Sequence, residues 1–472
     1  MRPSLRGTFA RRFVSFFSGF FVSSTFTLIF AFALTVACLC APSPARGMQL
    51  GEAPVWPEEG ETLLQRHDAY ILGASGGLSV DPSSRSASRD FFYNYHEETT
   101  PDIAWDGELS SCTPGDTAAG FKSAIALRIN YFRAMAGLPA AIALSSEYSG
   151  KDQKAALMMA AAGALSHSPT SSWTCYSADG AEAAGKSNLA LGIYGPSVID
   201  GYVKDFGTSN GAAGHRRWIL YPQTQTMGTG DIPGTYPSSS NALWVFDENL
   251  WGTRPSVRDG CVAWPPPGYT PYQVVYPRWS FAYPGADFSS ASVTVVHGGS
   301  SVSVAQETYA SGYGENTLVW RMNGMSSGDA WPKPDADARY DVTVSNVVIG
   351  GAAQTFNYSV TVFDPATELV CDFAVAPLSA HYDYTGGDGT IAVSADDGCE
   401  WTATSQYDWI TVASGASGSG DGEVHYSVGQ NNTGYTRTGS LTVAGASVSI
   451  QQDGEGGAVS RFPAGIYQLL DE

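Results

Sequence analysis

Hydrophobic periodicity changes character once along this chain, near residue 253, and the change confines it to a helical, layered part followed by all-β parts. Phe121, Ile125, Ile129 and Phe132 recur at helical steps and share one face, and Gly137 with Pro139 stops that run. A second helix is expected from about Ser146 to Leu165, rich in Ala and Met, with His167 just past its end. A third, from about Ser197 to Phe206, carries Val198, Tyr202 and Phe206 on one face behind a serine in capping position. Apolar runs at Trp218 to Tyr221, Gln225 to Gly228 and Ala242 to Phe246 read as strands. That order indicates a layered α+β domain. Beyond it, runs at Trp279 to Tyr283, Ala291 to Val296, Leu318 to Met322, Tyr340 to Val344 and Phe356 to Phe363 alternate between turns, as a β-sandwich does, and Asp364-Pro365 marks its end. A further all-β stretch runs from about 372 to 453.

Residues 1–47 read as a signal peptide and are left out of the fold reasoning. Arg2, Arg6, Arg11 and Arg12 precede an apolar run from about Phe13 to Ala41, and Ser43-Pro44-Ala45 offers a cleavage site. The run is long enough to serve instead as an uncleaved membrane anchor, and Cys38 or Cys40 offers a lipidation alternative, although Thr35-Val36-Ala37-Cys38 lacks the usual leucine. The 472 residues carry 45 acidic and 25 basic side chains, a net charge of -20. Without a Lys/Arg patch this excludes a nucleic-acid partner and fits solubility outside the cell. Residues 48–110 form an N-terminal extension without sustained periodicity, apart from a helical run near Glu61 to Tyr70, and residues 455–472 form an acidic tail.

Several short motifs then succeed one another in a telling order. They are Ala126 to Arg133, Gly137-Leu138-Pro139, Ala155 to Leu165 leading into His167, Ser187-Asn188-Leu189-Ala190, Val203 to Phe206, Gly214-His215-Arg216-Arg217-Trp218 and Ala242 to Phe246. The stretch from about 110 to 250 resembles the CAP superfamily (SCP/TAPS), which comprises cysteine-rich secretory proteins, antigen 5 and plant pathogenesis-related proteins. The last domain, with Gly398 to Ser405, Trp409 to Val412, Val424 to Val428, Arg437 to Val443 and Ile450-Gln451-Gln452, resembles a BACON domain. Together these resemblances imply a multidomain α+β chain: an α-β-α sandwich over 111–252, then two all-β immunoglobulin-like sandwiches over 253–365 and 366–454. On that division Cys112 and Cys175 fall in the CAP-like region and Cys371 and Cys399 in or beside the last domain. These are the expected disulfide pairs, with Cys261 left free. There is no C-x-x-C, so neither a zinc ribbon nor a thioredoxin-like site is indicated.

The CAP resemblance implies a cleft lined by two histidines and two acidic residues, where divalent metal binding is known in the family. His167 and His215 match the histidines. The acidic positions are occupied by Ser187 and Tyr202, so both carboxylates are replaced. Two imidazoles alone make a weak site, because zinc normally takes three protein ligands and a supporting shell. Zinc at His167 and His215 therefore stands beside a purely structural role, with Ser187, Asn188, Tyr202 and Arg216 as further cleft candidates. Glu182 or Asp179 could supply oxygen, but neither matches the family position. No nucleophile elbow on a strand-to-helix turn supports a serine hydrolase, and no carboxylate pair supports a glycosidase.

Arg216 and Arg217 could hold an anionic head group or pin a loop through a carboxylate such as Asp205. Asn188 and Asn210 are expected to satisfy loop backbone. Trp401 and Trp409 could stack on sugar or fill a sandwich core, and the core reading is preferred. His67, His96, His297, His381 and His425 carry no signal. The reading is a secreted, non-enzymatic protein that binds an extracellular glycan, lipid or cell-surface ligand, with the β-modules serving adhesion or carbohydrate binding. The alternative is an extracellular metal-assisted or serine-type hydrolase using His167 and His215.

Overall fold

A five-stranded sheet organises the first part of the chain, and its alternating side chains explain why helices cover both faces. The computed structural model describes residues 48–55, 77–369, 371–396 and 398–456. The leader with its anchor and lipidation alternatives, the helical run near Glu61 to Tyr70 and the tail beyond 456 lie outside the described residues. The strands are β1 (Gln49–Leu50), β2 (Ala143–Leu144), β3 (Ser187–Leu191), β4 (Thr226–Ile232) and β5 (Ser240–Trp244), in the order β1-β3-β5-β4-β2. Leu189, Leu191, Ala242 and Trp244 face α3 (Ser146–Ala162) and α4 (Ala178–Lys186). Ala190 and Leu243, one step out of phase, face α1 (Arg85–Tyr95), α2 (Ala119–Met135) and α5 (Pro196–Lys204). The period of two along each strand thus produces three layers.

Local chemistry sets the helix ends. Ser145 caps α3 by accepting from the Tyr148 amide at 3.3 Å, and Gly163 at φ 60° ends it in the left-handed conformation, short of Leu165. The Ala-rich run lies against β4 so closely that a Cβ on Gly230 would meet the Asp152 backbone at 2.2 Å. Trp218 to Tyr221, expected as a strand, instead form the end of a helical turn, α6 (Gly214–Ile219), and the two residues after it. The apolar run reads as a strand because the buried residues just before it, His215 to Arg217, are polar and hide the helical face. α1 arises inside the extension that showed no periodicity, and α4 and β3 were likewise not expected.

The middle module consists of two sheets. One contains Ser292–His297, Ala338–Ile349, Ala352–Phe363 and Gly268–Pro271; the other contains Thr317–Met322, Arg278–Ala282 and Val262–Trp264. Trp279, Phe281, Trp320 and Trp331 fill the space between them. The last module repeats the two-sheet plan around Ile391, Trp401, Val424, Leu441 and Ile450. Cys112 is bonded to Cys175 and Cys371 to Cys399. Cys261 is free and buried, and burial pushes its thiol up to about 12, so it is held as an inert small hydrophobe.

The helical layers and the middle module share one core. Val262, Trp264, Val274, Tyr276 and Ala282 join Phe92, Phe132, Ile199 and Trp218 in a continuous cluster, which crosses the expected division at 253. Trp264 lies edge-on to Phe132 at 5.0 Å and donates to Val274 O at 3.2 Å. Arg133, fully buried, gathers the chain between α6 and β4 by donating to the carbonyls of Ile219, Tyr221 and Thr224 at 2.8 to 3.1 Å. At the far end Arg85 pairs with Asp337 at 2.8 Å and lies over the Phe363 ring, and Ser86 donates to Glu400 of the last module at 3.0 Å. Trp264→Ala should therefore cost about 3–5 kcal/mol. In urea unfolding followed by helical ellipticity and by tryptophan emission, the two signals should shift to lower midpoint together. A shift in one alone would show that the shared core does not couple them.

Candidate functional site

His215 is held in α6 by a carboxylate and sealed from solvent. Its ring is 0 % exposed and its Nδ1 lies 2.7 Å from Asp205 Oδ1. Asp205 is itself 0 % exposed, sits at φ 55° as the left-handed cap of α5, and accepts a second bond from the Arg216 amide at 3.2 Å. With a proton on Nδ1 the neutral ring keeps a lone pair on Nε2. That Nε2 is buried and meets no hydrogen-bond partner, as is Asn188 Oδ1, whose amide group donates instead to His215 O at 3.2 Å. The Tyr202 ring stacks on His215 at 5.5 Å.

His167 is placed quite differently. Its Nδ1 lies 2.6 Å from Ala184 O and its Nε2 2.5 Å from Glu52 O. Both partners are main-chain carbonyls, which only accept. The ring therefore clips the end of α4 to residues 48–55, which run along β3. Among the described residues no group of three or more His, Cys, Asp or Glu side chains converges to hold a metal.

The other cleft candidates are bound into a buried network. Ser187 donates to Asp152 Oδ1 at 2.7 Å, and Asp152 Oδ2 accepts from the Trp244 amide at 2.8 Å. Tyr202 donates to Asn188 O at 3.0 Å and to Asn241 Oδ1 at 2.9 Å. Asn241 in turn donates to Asp231 Oδ1 at 2.9 Å, which also accepts from the Gly195 amide at 2.7 Å. Burial pushes the carboxyls of Asp152 and Asp231 upward, against the pull of these donors. Asp152, Asp231 and Asn241 were not singled out in the sequence, although an aspartate midway along an Ala-rich helix is a usable signal for Asp152.

Arg216 and Arg217 dock the helical layers on the middle module. Arg216 donates to Val203 O at 2.6 Å, Ser280 Oγ at 2.9 Å and Arg278 O at 2.8 Å; Arg217 donates to Ala310 O at 2.9 Å and Glu315 O at 3.0 Å. Burial lowers both guanidinium pKa values to about 10. Arg278 returns the contact, donating to Asp205 O and, at 2.8 Å, to Gly207 O while paired with Glu307 at 2.9 Å. Neither guanidinium is bonded to the Asp205 carboxylate; both donate mainly to carbonyls. Asn210 bonds its own loop at Phe206 O, 2.8 Å away.

One unforeseen charged cluster borders a surface depression of about 240 Å³ between α1 and α2, lined in part by Tyr95, His96, Leu127 and Arg128. His96 stands between Glu97 Oε1 at 2.8 Å and Asp200 Oδ1 at 2.7 Å, and Arg128 and Tyr276 also reach Asp200. Burial works against a charge on His96, but the two carboxylates outweigh it and raise its pKa.

Residues 127–247, from the middle of α2 to just past β5, match the model of the CAP family, the cysteine-rich secretory protein family. No curated protein matches the chain. Among solved structures, a Bacteroides ovatus GH5 xyloglucanase in complex with a XXXG heptasaccharide is similar at 24% identity over 18% of this chain and 19% of that one, with a TM-score of 0.16. The chain thus spans about a fifth of that enzyme's length. The titin domains z1z2 in complex with telethonin are similar at 10% identity over 40% of this chain and 91% of theirs, with a TM-score of 0.16. The I9-I11 tandem of titin is similar at 6% identity over 48% of this chain and 81% of its own, with a TM-score of 0.14. No activity follows from overlaps this partial.

Two outcomes test the site's electrostatics. Asp205→Ala leaves the buried His215 Nδ1 proton and the Arg216 amide without their acceptor, and should cost about 1–3 kcal/mol for each donor in denaturant unfolding; a loss below about 1 kcal/mol would mean the pair is dispensable. His96 gains partners on folding, so its stabilisation is complete below about pH 6.5, its ordinary value, and fades as pH rises through the elevated folded value. Unfolding free energies from pH 5 to 9 should show that decline in the wild type and a flatter profile in His96→Gln.

Proposed function

We propose that this is a secreted, non-catalytic CAP-domain protein that attaches to glycan-bearing surfaces through its last module, an immunoglobulin-like sandwich of the BACON type. The observation that carries the reading is a group of exposed tyrosines on neighbouring loops at one end of that module. Tyr384, Tyr407 and Tyr435 are 37%, 40% and 83% exposed. Their loops are tied together: the Asn431 amide donates to Tyr384 O at 2.8 Å, its side chain to Tyr435 O at 2.9 Å, and the Gly429 amide to Trp409 O at 2.8 Å. Exposed rings on a rigid frame suit stacking on the apolar face of a pyranose.

The tryptophans do other work in this reading. Trp401 is buried and donates to Gly420 O at 2.8 Å, and Trp409 lies beneath Arg437, whose guanidinium is 4.2 Å from its ring centroid. Two disulfides favour an oxidising compartment. The non-catalytic part rests on the engagement of Ser187 with Asp152 and on the sealed His215 ring, since a base must reach the proton it removes.

The test is retention of the full chain on an array of mucin-type and plant-type glycans. Tyr407→Ala/Tyr435→Ala should weaken retention roughly tenfold, in line with about 0.5–1.5 kcal/mol for each stacked ring, while the fold remains intact by circular dichroism. A wild-type chain that binds no glycan, or a double variant that binds unchanged, would overturn the reading.

A further inference from the structure

The segment 48–55 lies against the CAP domain as a ligand would lie in a site. β1 pairs antiparallel with β3, with Gln49 opposite Leu191 and Leu50 opposite Ala190, and the Gly51 amide donates to Leu189 O at 3.1 Å. Beyond that pairing the segment is held by its carbonyls: Glu52 O meets His167 Nε2 at 2.5 Å and Pro54 O accepts from the Trp218 indole at 2.6 Å. Only Leu50, Ala53 and Pro54 bury their side chains, whereas Gln49, Glu52 and Val55 are exposed. Recognition thus falls mostly on main-chain groups, with two or three small apolar positions adding selectivity, which is the mode of strand addition at a sheet edge.

Two further observations mark the place as a receiving surface. Gly214 is required for the close approach, because a Cβ there would stand 2.6 Å from the Ala53 Cβ and 2.9 Å from Tyr313. Two of the buried acceptors without partners among the described residues, His215 Nε2 and Asn188 Oδ1, belong to the residues next in sequence to Gly214 and Leu189. Each buried acceptor left unpaired carries a desolvation cost.

We propose that the edge of β3, with His167, Trp218 and Gly214, is a peptide-binding groove that residues 48–55 occupy in cis. It takes in their place an extended peptide of another protein bearing the pattern Leu-x-x-Ala-Pro. Residues 48–55 belong to the same chain as the groove, so they compete with an outside peptide at an effective concentration that no free peptide matches at ordinary concentrations. An outside peptide therefore binds weakly until the tethered one is loosened. This inference is independent of glycan attachment by the last module, and either can fail alone.

The experiment measures anisotropy of a fluorescein-labelled octapeptide with the sequence of residues 48–55, titrated with the full chain. The wild type should bind weakly, and the full-length Leu50→Asp/Ala53→Asp variant at least ten times more tightly. Adding Gly214→Ala to that variant should abolish binding, as should placing Asp at both positions of the peptide. Equal binding of a scrambled octapeptide, or none to a variant that still unfolds cooperatively, would overturn the proposal. Should the variant not fold, hydrogen exchange on the wild type decides: excess unlabelled octapeptide should speed exchange at Gln49 and Gly51, and unchanged protection would overturn it.

Discussion

The buried residue Asp205 is a point on which the two halves of this molecule meet. It ends α5 in a left-handed turn, holds the His215 ring through Nδ1 and receives the Arg216 amide, while its own carbonyl accepts from Arg278 of the middle module. A charge removed from water costs several kcal/mol unless its surroundings supply hydrogen bonds. Here the carboxylate is supplied by His215 and the Arg216 amide, while Arg278 reaches across the expected domain division to the backbone carbonyl of the same residue. Arg216 completes the arrangement by reaching Ser280 and Arg278 O from the opposite direction. The shared apolar core around Trp264 and Phe132 joins the same two halves.

The same node changes what the CAP histidines can be. The family's pattern led to an expectation of two imidazoles and two carboxylates lining an opening. Ser187 and Tyr202, which the resemblance aligns with the acidic positions, are each drawn into a buried hydrogen-bonded layer with Asp152, Asn188 and Asn241. Carboxylates are present, but they come from α3 and β4, and burial holds Asp152 and Asp231 towards their neutral forms. His167 meanwhile spends both nitrogens on carbonyls. The chemistry of the region is that of a latch between backbone segments.

How much of this could be read beforehand depends on whether apolar spacing carried the information. α2 was legible because Phe121, Ile125, Ile129 and Phe132 are buried at helical steps, and the β-modules because their strands alternate. α6 was not, because the residues that bury it are Arg216 and Arg217, whose interior role no hydrophobic pattern announces. α1 was missed because its sequence is polar until Phe91 and Phe92, and β1 because two residues of pairing leave no periodic trace. The histidines could be named, but their partners lie on Glu52, Ala184 and Asp205, contacts set by tertiary placement. The exposed tyrosines were hidden for the opposite reason, since nothing in a loop sequence distinguishes an outward ring from an inward one.

Gly230 carries a consequence for the history of such a chain. With α3 seated on β4 at backbone distance, even a methyl group has no room there. Neither element can therefore drift in sequence without the other, and the helix that fronts one face of the sheet is tied to a strand more than sixty residues away. Variation among descendants of this sequence should collect where no such abutment exists, at the rims of the β-modules, so that relatives would differ most in what they touch and least in how they are built.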